Sequence, residues 1–151
     1  MKLAEALIER AEIQKKNGRL VERIKDNAKV QEGDSPAEKP EELISEYEKN
    51  MARFLELVKR INNTNSKTPF DDNMSIADAI ALRDCLGIKI KTYRTFYDSG
   101  TIKRDRYSRN EIKFVRSIDV VALQKQIDVF SKEYRELDTK LQGINWTVDL
   151  L

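Results

Sequence analysis

Apolar residues recur at intervals of three and four over four long stretches of this chain, the spacing of helices that each bury one stripe. The first stretch runs from about Lys2 to Ala28, with Leu3, Leu7, Ile13, Leu20, Val21 and Ile24 on one broad face. Arg10, Gln14 and Asn17 interrupt the middle of that face. Two readings stay open: a partly exposed helix with a wet middle, or a polar seam residue that fixes register or oligomeric state. The second helix begins after Pro40, with Glu41 and Glu42 in a first turn where acids suit the helix dipole. Its stripe is Ile44, Tyr47, Met51, Phe54, Val58 and Ile61, alternating three and four as in a heptad seam. The run from Asn62 to Ser66 competes for backbone hydrogen bonds and is expected to end it.

The third helix opens on Ser75 and Asp78, a variant of the capping box. Ile76, Ile80, Leu86, Ile90, Tyr93 and Tyr97 share a face, and Ser99 with Gly100 closes it. Gly87 inside this helix costs about 1 kcal/mol relative to alanine. The pattern from Ile88 to Tyr97 also alternates as a strand would, but it continues a long helical run. The fourth helix starts near Asp119 as N-cap. Val120, Leu123, Ile127, Phe130, Tyr134, Leu137, Leu141 and Ile144 form the most regular stripe of the chain, and Lys132, Glu133, Arg135 and Glu136 mark its solvated face. After Gly143 an apolar tail with Trp146, Val148, Leu150 and Leu151 must pack on its own bundle or on a neighbour.

A Gly- and Pro-containing loop around residues 31–40 joins the first two helices, which makes them antiparallel neighbours. The expected fold is mainly all-α: four long amphipathic helices in a bundle of two antiparallel hairpins with coiled-coil-like seams, a single helical domain over residues 1–151. The exception lies between Thr101 and Ile118. There, β-branched and aromatic residues flank Ser108, Arg109 and Asn110, and a short β-hairpin around 101–116 and an irregular loop are both open.

Composition narrows the function classes. Charged residues reach 36%, against roughly 25% in an average globular protein. The net charge is only +2, which gives no global pull toward nucleic acid or anionic lipid, and there is no DNA-binding signature. No stretch approaches the roughly 20 apolar residues of a membrane span, and acids recur through Met1–Arg10 where a signal peptide would be apolar. With a single cysteine, a cytoplasmic protein is expected. Histidine is absent, which removes the commonest general base and metal ligand. No phosphate loop or nucleophile elbow is present. Cys85 has no histidine partner and stands beside Asp84, so it reads as a buried or half-buried structural thiol. The expectation is a protein without catalytic residues, cofactor or metal, and not an enzyme.

The segment from Asp98 to Ile118 concentrates positive charge. Lys103, Arg104, Arg106, Arg109, Lys113 and Arg116 face three acids, Asp98, Asp105 and Glu111, with Tyr107 among the arginines. Guanidinium forks bind phosphate or carboxylate in bidentate fashion, and an interleaved ring can stack on a base. Arg104, Arg106, Tyr107, Arg109, Lys113 and Arg116 are therefore the candidate site for an anionic ligand or RNA. The alternative is that these cations pair with acids on neighbouring helices or subunits. Aromatic residues on the seams (Tyr47, Phe54, Tyr93, Phe130, Tyr134) leave room for pairing between chains, and a homo-oligomer is expected.

Several phrases occur together in order: Asn27-Ala-Lys-Val-Gln-Glu-Gly33, Arg60-Ile-Asn-Asn-Thr-Asn65, Asp105-Arg-Tyr-Ser-Arg-Asn-Glu-Ile-Lys113, Lys132-Glu-Tyr-Arg-Glu-Leu-Asp138, and Asn145-Trp146. In these the chain resembles a family of small uncharacterised bacterial proteins, some of which are labelled septicolysin. The resemblance implies a bacterial, helical protein with no catalytic residues to carry over. The label implies a pore-forming cytolysin, whereas the residues lack an export signal and the alternating strands of a β-barrel pore. The three functions to weigh are a self-associating structural or interaction scaffold, a binding module for a phosphorylated ligand or RNA, and a pore former.

Overall fold

The computed structural model describes residues 1–102 and 112–151. The fold is all-α, as the periodicity predicts: α1 is Leu3–Asn27, α2 Pro40–Lys67, α3 Ile76–Gly100 and α4 Val120–Thr147. The chain divides into two compact units, Met1–Ala77 with Gln142–Leu151, and Asp78–Leu141.

In the first unit α1 and α2 form an antiparallel hairpin. Arg53 on α2 holds Glu9 on α1, Lys16 holds Glu46, and Arg23 holds Glu38, so α1 ascends as α2 descends. The seam of α2 differs from the expected stripe. Leu43, Leu57, Ile61 and Thr64 are buried, Tyr47, Asn50 and Phe54 are half-buried, and Ile44 is exposed. The observed seam therefore adds Leu43, Asn50, Leu57 and Thr64 to the expected Tyr47, Met51, Phe54, Val58 and Ile61, and of the expected stripe only Ile44 turns outward. Its polar members are satisfied inside. Asn17 on α1, itself buried, accepts a bond from the Asn50 side-chain amide at 2.9 Å and donates to the Met51 sulfur at 3.3 Å. Of the polar middle of α1, Asn17 is thus a seam residue, as in the second of the two readings, while Gln14 is exposed, as in the first.

Helix α2 also runs through the Asn-rich segment that was expected to stop it. Thr64 sits fully buried there, and its hydroxyl donates to the Arg60 carbonyl at 2.8 Å, so tertiary packing overrides weak local propensity. The helix ends at Lys67, two residues before Pro69, and Thr68 turns extended because a proline disfavours α geometry in the residue ahead of it. Asp71 then accepts bonds from the amides of Asn73 and Met74, an Asx turn that leads back to Ile76.

The apolar tail packs within this same unit. Helix α4 continues through Gly143 to Thr147, beyond the expected break. The chain then runs beside its own beginning. The Leu3 amide donates to the Val148 carbonyl, and the Leu150 amide to the Met1 carbonyl, both at 2.9 Å. Arg60 donates to the carbonyls of Leu150 and Leu151, and the Leu151 amide donates to the Thr64 hydroxyl. Leu150 is buried, while Trp146 remains exposed.

In the second unit α3 and α4 form the other antiparallel hairpin. Arg83 bonds Asp138 at 2.9 Å, and Tyr93 meets Phe130 edge to face at 5.1 Å between ring centres. The Tyr134 ring lies across Gly87, where an added Cβ would stand 3.4 Å from it. Gly100 is held more tightly, since a Cβ there would approach Ile118 and Val120 side chains to 2.6 and 2.8 Å. The expected stripe of α4 is observed, with Val120, Ile127 and Leu141 buried and the other members half-buried. Asp119 caps α4, accepting the Ala122 amide at 3.0 Å. Residues 101–102 and 112–119 hold no strand or helix, and the rest of the expected hairpin, 103–111, lies outside the described residues.

Candidate functional site

Helix α3 has a buried apolar side and, opposite it, an uncharged side of small, apolar and hydroxyl residues. Leu86 and Ile90 are buried on the first. At 3.6 residues per turn, Ala81, Cys85, Ile88, Thr92 and Ser99 fall on the opposite side, and all five are exposed. Leu82 and Phe96 flank this outward stripe; they are 45% and 43% exposed, and Ile88 is 67% exposed. No charge interrupts the stripe between Ala81 and Ser99. Charges lie along its edges instead. Asp84, Lys91 and Asp98 repeat every seven residues on one edge, and Lys89 stands on the other, its ammonium 5.2 Å from the centre of the Phe130 ring. Cys85 is exposed and not the buried thiol expected, because the seam uses Leu86 one position on.

Sequence reasoning read α3 as a single stripe and missed this face. The signal was present. Ile88 does not fit the stripe of Ile76, Ile80, Leu86 and Ile90, and it produced the alternation that looked like a strand.

The predicted basic site is divided by the structure. Arg104, Arg106, Tyr107 and Arg109 lie outside the described residues. Lys113 is exposed. The Arg116 guanidinium donates through Nε to the Gly100 carbonyl at 3.0 Å, at the negative end of α3, which is a structural use of that cation. Beside it lies a cleft of about 440 Å³ lined by Phe96, Gly100, Ile102, Phe114, Arg116 and Ile118. A second group of cations, unremarked in the sequence, stands on α1: Lys15, Lys16, Arg19 and Arg23. Two of these are engaged, Lys16 with Glu46 on α2 and Arg23 with Glu38 in the loop before it. The Arg23 bond holds the Glu38 carboxyl below its ordinary range, and the Lys16 bond does the same for Glu46.

Among the described residues, no group of three or more Cys, Asp or Glu side chains could hold a metal ion, and no helix is long and apolar enough to cross a membrane.

The sequence matches the family described as "Family of unknown function (DUF6847)" over residues 10–150, and the chain belongs to that family. It is similar to a functionally unknown conserved protein from Corynebacterium diphtheriae, known from a crystal structure. The two are 46% identical over 100% of this chain and 99% of that one, with a TM-score of 0.93. Among curated proteins none matches. Both descriptions leave function open, so the septicolysin label gains no support from them.

Proposed function

We propose that this family member is a non-enzymatic helical protein of the cytoplasm that works by self-association, as a structural or interaction scaffold. The observation that carries this reading is the outward face of α3, where Ala81, Cys85, Ile88 and Thr92 stand exposed in an uncharged line with Leu82 and Phe96 exposed beside it. Apolar surface left in water costs roughly 25 cal/mol per Å², and a helix that is apolar on both sides regains that by taking a second neighbour. The lack of histidine and of any catalytic motif supports a role in assembly rather than chemistry. Size exclusion coupled to light scattering tests it. The chain is 17.6 kDa, and a mass of twice that or more is expected at micromolar concentration. A strict monomer overturns the reading.

A second reading is an anion-binding module built on residues 103–116, for a phosphorylated ligand or RNA. What favours it is the cleft that Arg116 lines together with Phe96 and Phe114, a cation and two aromatic side chains on one cavity. It predicts binding that weakens with salt and is lost in Arg106→Ala with Arg109→Ala. Titration with a labelled oligonucleotide or a nucleotide at low salt decides it, and no binding there removes it.

A further inference from the structure

We infer that the outward face of α3 takes the α3 of a second copy of this chain, running antiparallel about a two-fold axis level with the Leu86–Gly87 peptide. This pairing rests on the self-association reading and specifies its interface. The alternating spacing of Ala81, Cys85, Ile88 and Thr92 is that of a heptad seam. With the axis at that level, Cys85 faces Ile88 of the second copy and Ala81 faces Thr92 of the second copy. Each layer then sets a smaller side chain against a larger one, so that the layers interdigitate. A parallel pair would instead stack Ile88 on Ile88 and Ala81 on Ala81, with layers alternately crowded and thin.

The edges favour the same orientation. In an antiparallel pair, like edges face each other across the seam, and edge charges set orientation. Asp84 of one copy meets Lys91 of the other, and the symmetry makes this contact twice. Both groups lie on exposed positions of the same edge. Among the described residues Asp84 is held only by its neighbour Arg83, which keeps Asp138 as a partner when Asp84 turns outward. On the other edge Leu82 meets the stem of Lys89, whose ammonium stays on its own Phe130 ring. A parallel pair would instead have to draw Lys89 off that ring to answer Asp84. The antiparallel arrangement also opposes the two helix dipoles favourably.

The test is a charge swap read by light scattering over a dilution series. Asp84→Lys sets lysine against lysine at two symmetric sites, and the dimer is expected to weaken on the order of tenfold. Lys91→Asp sets Asp84 against aspartate with the same result. The double variant Asp84→Lys with Lys91→Asp restores the native affinity. Circular dichroism of each variant should match the native protein, since both positions are exposed. Orientation is read separately by mixing the native chain, whose one thiol is Cys85, with a Cys85→Ser, Ile88→Cys variant and oxidising. Antiparallel pairing yields the mixed disulfide between the two chains, whereas disulfides only between identical chains mean a parallel pair and overturn the proposal. A dimer whose mass ignores both charge reversals places the interface elsewhere and leaves self-association standing. A monomer removes both.

Discussion

The two units answer the same problem, how two helices cover each other, with different materials. In the first, α1 and α2 are tied by ion pairs along their length and by an amide pair in the seam, and most of what they turn outward is charged. In the second, α3 and α4 meet through the Tyr93 and Phe130 rings and the ion pair of Arg83 with Asp138, and α3 turns outward Leu82, Ile88 and Phe96. Glu9 illustrates the first. Its bond to Arg53 holds the carboxyl below its ordinary range, and their attraction adds to that against a small burial cost. The difference shows where to look for a partner. Under the proposed self-association, the helices whose far sides are charged need no partner, and α3, with its uncharged outward face, takes one.

The widest separation between the units comes from truncating one apolar residue in each. Leu57 is fully buried in the first unit, and Leu57→Ala should cost about 2–5 kcal/mol in urea unfolding. Ile88→Ala in the second unit should leave the unfolding free energy of the dilute chain within about 0.5 kcal/mol while weakening association. Equal losses from both would erase the contrast. Next in size is the amide pair. Asn17→Leu strands the Asn50 amide in the seam and should cost about 1–3 kcal/mol, and Asn17→Leu with Asn50→Leu should recover most of it. If the double variant is no better than the single, the pair does not act as a unit. In the second unit, Phe130→Leu removes the edge-to-face contact with Tyr93 and should cost about 1 kcal/mol, measured in the same way.

The smallest effect is on pH. Glu9, Glu38, Glu46 and Asp149 all have carboxyls held below their ordinary values by hydrogen bonds to Arg53, Arg23, Lys16 and Lys2. All four lie in the first unit. A carboxyl whose pKa is lower folded than unfolded stabilises the fold above its unfolded value, and that contribution fades as pH falls through the folded one. The first unit should therefore lose stability as pH drops below about 4.5, the ordinary glutamate value, and the loss should shrink in high salt because the pairs are exposed. Amide exchange resolved by segment checks it. Exchange that quickens first in α3 and α4 contradicts the assignment.

The number and pairing of the helices were legible because hydrophobic period and loop chemistry both point to them, whereas α2 and α4 run past the ends that Asn62–Ser66 and Gly143 suggest. The stripe of α4 and its Asp119 cap were read to the residue. The seam of α2 was not, since a hydropathy pattern skips Asn50 and Thr64, and only their bonds to Asn17, Arg60 and Leu151 show why they lie inside. Burial of a polar group depends on a partner distant in sequence, and nothing local announces it. The outward face of α3 was written in the sequence but hidden by the habit of assigning each helix one stripe. The basic segment shows the converse case. Its cations are conspicuous in a list of residues, yet Arg116 binds a backbone carbonyl.

The bonds that join Met1 and Leu3 to Val148 and Leu150 also order events in time. The second unit is one unbroken stretch of chain, but the first is assembled from residues 1–77 and 142–151. On the ribosome, α1 and α2 emerge before α3 and α4 and can zip together, yet the bonds of Arg60 and Thr64 to Leu150 and Leu151 wait until those residues are made. Closing contacts of that sequence separation is slow relative to forming a local hairpin. The unit that begins earliest is thus completed last, and until then its end at Leu3 and Thr64 stays open to whatever else the cell presents.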